Sequence, residues 1–213
     1  MKEIIKSRSF LIQFAVCLLP FVIGAVFYRR MPEQVATHFD FNFQPDDYSS
    51  RGFALFGIPA FMAAMFVLCT VMLEADPKKR GMDSRLKSIV RWIIPVLSVL
   101  VQCITISYAL DSSINLVRFL PVLMGALFVL IGNYMPKCRQ NYTMGIKLPW
   151  TLSSEENWER THRFGGRMFV IAGLCMMIAA FFAGHAASVI FALAMAACFL
   201  PMVYSFVLYK KGI

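Results

Sequence analysis

Six long apolar blocks alternate with short polar connections along the chain. They run Phe10 to Tyr28, Phe53 to Leu73, Trp92 to Leu110, Phe119 to Tyr134, Met168 to Ala183 and Ser188 to Tyr209, and none contains an Asp, Glu, Lys or Arg. A hydrocarbon core of about 30 Å takes about 20 helical residues to cross. One charge at mid-bilayer costs roughly 2.5–3.5 kcal/mol on insertion, so clearing every ionised side chain from six blocks predicts six transmembrane helices. The expected class is an all-α integral membrane protein. Little of the 213 residues is left for a soluble domain. The expected organisation is a single membrane domain, residues 1–213. Within it, a two-helix module (1–75) carries one long loop, 29–52, and a four-helix module (89–213) carries another, 135–167.

The formal charge of +9 changes this picture only through its placement. Seventeen of the 21 Lys and Arg precede the first block, lie in the second and fourth connections, or follow the last block; four lie in the other connections. The positive-inside rule then puts both termini in the cytoplasm of a multi-pass cell-membrane protein. Loop 29–52 faces outward and loop 135–167 inward. The basic excess draws anionic membrane lipids; with no recognition motif, no direct nucleic-acid contact is expected. The first block has no small-residue cleavage site after it and is interrupted by Pro20, so it is expected to stay as a span. Cys17, Cys69, Cys103, Cys138, Cys175 and Cys198 share no zinc-type spacing and read as soft packing residues. No cofactor is expected.

Within the blocks, Pro20, Pro59, Pro95, Pro121 and Pro201 predict bent packing helices. Small residues recur in the last two blocks, Ala172, Gly173, Ala179 and Ala180 in the fifth and Ala192, Ala194, Ala196 and Ala197 in the sixth, and the link at Gly184-His185 predicts a tight helical hairpin. Gln13, Thr70, Gln102, Thr105, Asn133 and Tyr204 are the notable polar groups in the spans. None is ionised at neutral pH, which argues against ion-coupled transport. Gln102 reads as an interhelical hydrogen-bonding residue.

In the outer loop, Val35, Thr37, Phe39, Phe41 and Phe43 alternate with mostly polar residues, predicting an extended segment or short hairpin. Gln44-Pro45-Asp46-Asp47 is the expected turn, and the three phenylalanines would share one face. His38, Asp40, Asp46 and Asp47 match no metal site by spacing.

In the inner loop, Ser153 and Glu156 fit a capping box for a short helix from about Ser154 to Phe164, with Gly165 as its stop. Trp158, Thr161 and His162 fall on one face. Trp150 and Trp158 suit the headgroup level, so the helix is expected to lie along the cytoplasmic membrane surface. Glu159 and His162, three residues apart, can pair. An acid–base site there lacks a nucleophile, a metal set or a phosphate loop; a protein-docking surface, anchored by Trp and Arg, is the other reading.

At these two loops the chain resembles the SdpI-type bacterial immunity proteins. The N-terminal motif residues are Pro32, His38-Phe39 and Pro45-Asp46-Asp47-Tyr48. The C-terminal ones are Asn133-Tyr134-Met135-Pro136-Lys137, Asn141-Tyr142-Thr143-Met144-Gly145-Ile146 and the run Pro149 through Gly166. The resemblance implies a non-enzymatic membrane protein that protects against a secreted, membrane-active toxic peptide. It also implies a receptor that recruits a cytoplasmic repressor to the membrane. The expected partner-binding residues are Trp150, Ser153, Glu155, Trp158, Thr161, His162 and Arg163 inside, and Pro32, His38, Phe39, Asp46 and Tyr48 outside. The alternatives are a small transporter or lipid-handling membrane enzyme built on His162, Glu159 and Asn133, and a scaffold whose motif only orders the bundle.

Overall fold

The computed structural model describes residues 7–40, 43–78, 83–110, 115–182 and 186–213. It is mostly helical, with α1 (Arg8–Phe27), α2 (Ile58–Ala75), α3 (Ser84–Leu110), α4 (Leu116–Tyr134), α5 (Pro149–Ser153), α6 (Glu155–Ala179) and α7 (Ala186–Lys210). A hairpin lies between α1 and α2, formed by β1 (Gln34–Phe39) and β2 (Pro45–Ser50). Among the described residues, five helical segments are long and apolar enough to cross a membrane: Arg8–Arg30, Phe53–Ala75, Ser84–Leu110, Arg118–Lys137 and Ser188–Lys210.

The chain divides into two compact units. The first holds residues 1–75 and 87–115, the second 76–86 and 116–213. The third span, expected to join the C-terminal module, is thus grouped from Lys87 onward with the first two.

In the first unit, α1 buries Gln13, Cys17, Pro20 and Gly24, one stripe at helical spacing. Before α2 the chain makes a π-helical turn over Phe53–Gly57. Its cause is one turn further on: Pro59 has no N–H to offer the Leu55 carbonyl. The Gln102 amide from α3 approaches that carbonyl at 3.4 Å, as the interhelical reading of Gln102 predicts. Gly24 makes room for the junction, because a Cβ there would lie 2.9 Å from the Leu55 oxygen and 3.1 Å from Gln102 Nε2.

The hairpin is antiparallel, with register irregularities around His38. Its reversal is not at Gln44–Asp47. Asp40 receives the Gln44 N–H on its carboxylate (2.8 Å), its own N–H bonds the Gln44 carbonyl (2.8 Å), and its carbonyl accepts from Phe43 N–H (2.9 Å). The Asp40 side chain closes the turn earlier than the proline signal suggested, leaving Pro45–Asp47 in β2. Phe43 adopts a left-handed φ of 58°, so the alternation ends before it; Phe41 lies outside the described residues.

In the second unit α4 and α6 pack through glycines in register. A Cβ on Gly132 would meet the Gly166 carbonyl at 2.7 Å, and one on Gly166 would meet the Gly132 carbonyl at 2.7 Å. One heptad away, Gly125 and Gly173 oppose each other in the same reciprocal manner. Close backbone approach of this kind substitutes for an aqueous hydrophobic drive. Helix α7 adds Ala197 to a core with Ala172 and Met176. The Gly184-His185 link expected between α6 and α7 lies outside the described residues.

Gly165 does not stop a short helix, since α6 runs unbroken from Glu155 to Ala179. With hydrogen bonds continuing on either side, Gly165 and Gly166 work as close-packing positions: a Cβ on Gly165 would meet Met135 at 2.9 Å and Ile146 at 3.1 Å. The cap is also one residue later than expected. Ser154 Oγ accepts the Asn157 N–H at 3.1 Å, while Ser153 Oγ donates to the Trp150 carbonyl (3.1 Å) within α5.

Candidate functional site

The loop from Cys138 to Leu148 has almost no regular structure, so its backbone groups must find partners among side chains. Asn141, fully buried, supplies several. Its Oδ1 accepts the N–H groups of Thr143 (2.9 Å) and Met144 (2.6 Å), and its Nδ2 donates to the Arg139 carbonyl at 2.8 Å. Asp76, which follows α2 directly, holds the same loop. Its carboxylate accepts from Lys78 N (2.8 Å), Tyr142 N (2.8 Å) and Thr143 Oγ1 (2.7 Å). Burial alone would raise this carboxyl, but the hydrogen bonds outweigh it and hold the group below its ordinary value. Lys78 also bonds the Gln140 side chain, whose amide donates to the Thr151 and Leu152 carbonyls at 2.9 Å each.

The face of α6 carrying Trp158, Thr161 and His162 turns into this loop, and all three are buried. Trp158 Nε1 donates to the Cys138 carbonyl at 2.7 Å. His162 stacks on Trp158 with ring centroids 4.0 Å apart. Its Nδ1 lies 2.8 Å from the Trp158 carbonyl and its Nε2 is 3.0 Å from the Ile146 N–H. A carbonyl can only accept and an N–H can only donate, so the ring is neutral with its proton on Nδ1. Burial lowers its pKa from the ordinary value, against the opposing pull of the Trp158 carbonyl. Gly145, at φ 102°, is required twice over: by that backbone conformation, and because a Cβ would run into His162 Nε2.

Asn157, beside Trp158, is a second buried staple. Its Nδ2 donates to the Ser205 carbonyl of α7 (3.1 Å) and its Oδ1 accepts from Ser205 Oγ (2.7 Å) and Thr161 Oγ1 (3.1 Å). Thr151, also buried, accepts the Leu148 N–H at 2.8 Å. Trp150 stacks against Tyr209 and meets Phe206 edge-on.

Between Glu155 and Arg167, what remains exposed on α6 is charged. Glu156 pairs with Arg160 (2.5 Å) and Glu159 with Arg163 (3.1 Å). Glu159 therefore does not pair with His162, which faces the opposite way. Both imidazole nitrogens are engaged, so His162 has no lone pair free for proton abstraction.

Residues 137–205 match the family model described as the SdpI/YfhL protein family. That stretch of the chain is similar to the SdpI/YfhL family. Residues 15–63 match a second model, a domain of unknown function, DUF1648. The chain is 23% identical over 202 residues to the immunity protein SdpI of Bacillus subtilis (strain 168), covering 94% of this chain and 96% of that protein. No solved structure matches significantly. The SdpI resemblance drawn from the motif residues is borne out.

The SdpI-type run therefore splits by geometry. Trp158, Thr161 and His162 are interior, so these three do not form an exposed anchor set. The structure covers them because loop 138–148 lies over the face that periodicity alone leaves open. Ser153, Glu155 and Arg163 are exposed, and Trp150 is half-buried. In the hairpin, His38 Nδ1 and Asp46 Oδ1 are 2.6 Å apart and both side chains are exposed. The hydrogen bond and charge of Asp46 raise the His38 pKa. Phe39 packs edge-on against Tyr108 of α3 (5.1 Å), whereas Pro32 and Tyr48 are exposed. Among the described residues no group of three or more His, Cys, Asp or Glu is placed to hold a metal. Asp76, Gln140 and Asn157 were missed from sequence. Asp76 belongs to no motif, and Asn157 was not singled out within the run Pro149 through Gly166.

Proposed function

We propose that this protein is a membrane immunity protein protecting its cell against a secreted, membrane-active toxic peptide. The observation that carries the reading is similarity to an immunity protein over 94% of the chain, with the family match on the module just described. In this reading α6 supplies a sixth span from about Met168, and both termini and the 135–167 loop are cytoplasmic, as the basic residues favour. The toxic peptide meets the hairpin, with Pro32, His38, Phe39, Asp46 and Tyr48 on its side of the membrane.

A cytoplasmic repressor, where one is recruited, meets the exposed residues of α5 and α6: Trp150, Ser153, Glu155 and Arg163. Trp158, Thr161 and His162 act beneath them as the frame that sets their positions. Helix α2 runs from the turn after β2 to Asp76, which grips the motif loop. Occupancy at the hairpin thus has a covalent route to that loop, provided the ligand binds two states of it differently.

The test is expression in a peptide-sensitive strain, with survival and repressor recruitment scored separately. Protection by the wild-type chain is expected. Arg163→Glu is expected to reduce recruitment while leaving membrane levels unchanged. No protection at normal membrane abundance refutes the immunity reading; intact recruitment by Arg163→Glu removes that surface from the proposed docking face.

A further inference from the structure

The loops and their motifs do not account for the interior of the first unit. Its three helices bury polar side chains on their inward faces. Gln13 on α1 has no exposed surface and Thr70 on α2 is 3% exposed. Among the described residues neither end of the Gln13 amide, nor the Thr70 hydroxyl, has a hydrogen-bonding partner. On α3, Ser98 is buried near the Cys17 thiol, which lies one turn beyond Gln13 on α1, and its hydroxyl likewise has no hydrogen-bonding partner among the described residues. Two turns before Ser98 on the same face of α3 stands Arg91, paired with Glu74 through one terminal nitrogen while its buried Nε has no partner. Glu74 in turn lies one turn after Thr70 on α2.

An amide buried without partners carries its full desolvation penalty, and no bulk water reaches a bilayer core to relieve it. Ring stacks of Phe10 and Phe14 on Phe66 lie on the same helices, so the surroundings are otherwise apolar. An occupant able both to donate to Gln13 Oε1 and accept from Gln13 Nε2 must be small and bifunctional. A second copy of the chain is a poor candidate because Gln13 has no surface to offer it. We propose that α1, α2 and α3 enclose a hydration site, in which internal water bridges the Gln13 amide to the Thr70 hydroxyl and to the polar atoms of α3. Internal water typically makes two to four such bonds.

X-ray radiolysis with mass spectrometry tests this on the full protein in lipid nanodiscs, since bound water generates hydroxyl radicals where it sits. Cys17 and Met176 are both sulfur side chains with no exposed surface. Cys17 stands beside the proposed water; Met176 stands in the apolar core of the second unit. Wild-type Cys17 is expected to be labelled several-fold faster than Met176, and the double substitution Gln13→Leu with Thr70→Val is expected to bring it down to the Met176 rate. Equal labelling of the two sulfurs in the wild-type protein overturns the proposal. So does an unchanged Cys17 rate in the folded double variant. A variant that fails to fold leaves the wild-type comparison to decide. A shift from dimer to monomer in the variant, with wild-type Cys17 unlabelled, assigns Gln13 to a partner chain instead and also overturns the proposal.

Discussion

Replacing Asp76 with Asn tests how the motif loop is held. The carboxylate takes three hydrogen bonds from main-chain and hydroxyl donors, two of them on Oδ2, from Tyr142 N at 2.8 Å and Thr143 Oγ1 at 2.7 Å. An asparagine oriented to keep the Lys78 bond presents its NH2 to those two donors. The Thr143 hydroxyl can rotate and accept; the Tyr142 N–H cannot. One charge-assisted bond is lost outright and two are weakened. At about 1.5–3 kcal/mol for each bond to a charged group, the expected loss is about 3 kcal/mol of unfolding free energy.

The linkage has a definite sign. The folded-state pKa lies below the ordinary 3.8, so the carboxylate's contribution is complete above that value and is lost as pH falls through the folded pKa. Equilibrium unfolding in detergent, followed by tryptophan fluorescence, should show wild type losing stability in that acid window and Asp76→Asn losing less. A cycle with Thr143→Val should be non-additive, because Thr143→Val removes the bond that Asp76→Asn weakens. Equal stability of Asp76→Asn and wild type at neutral pH, or strict additivity in the cycle, would refute the account of the loop given above.

Gly132→Ala and Gly166→Ala should each cost about 1–3 kcal/mol by overpacking the α4–α6 contact, measured by denaturation, whereas Gly52→Ala should be near neutral because nothing lies within 4 Å of its added methyl. For His162 the folded pKa lies below the ordinary 6.5, so its contribution is complete above 6.5 and declines as pH falls from there toward the folded pKa; His162→Gln should flatten that part of the stability–pH curve in the same denaturation assay. For His38 the folded pKa lies above 6.5, so its pair with Asp46 is fully present below 6.5 and is lost as pH rises through the folded pKa. A proton NMR titration should show the His38 midpoint falling in Asp46→Asn.

The apolar blocks, cleared of charge, were enough to read a multi-pass helical membrane protein, because the bilayer penalises each buried charge independently of the fold around it. Five of the helices meet the criteria of length and composition in the structure. The period-two alternation before Phe39 likewise marks β1, since strand geometry is a local property. The motif run was legible as a module but not as a site: helical periodicity gathered Trp158, Thr161 and His162 on one face without saying which face is covered.

That decision belongs to the tertiary structure. Loop 138–148 has little regular structure, so its motif residues Asn141 to Ile146 gave no sign of where it lies, yet it covers that face and hides it. Asp76 and Thr143, 67 positions apart, meet only through the path of the chain. The reciprocal glycines of α4 and α6 acquire their role only when two helices are set in antiparallel register. Sequence alone determined which segments avoid water and which carry charge, because transfer free energies act residue by residue. Burial, tautomer and hydrogen-bond partners depend on pairs of distant residues, and such pairs exist only once the chain has packed.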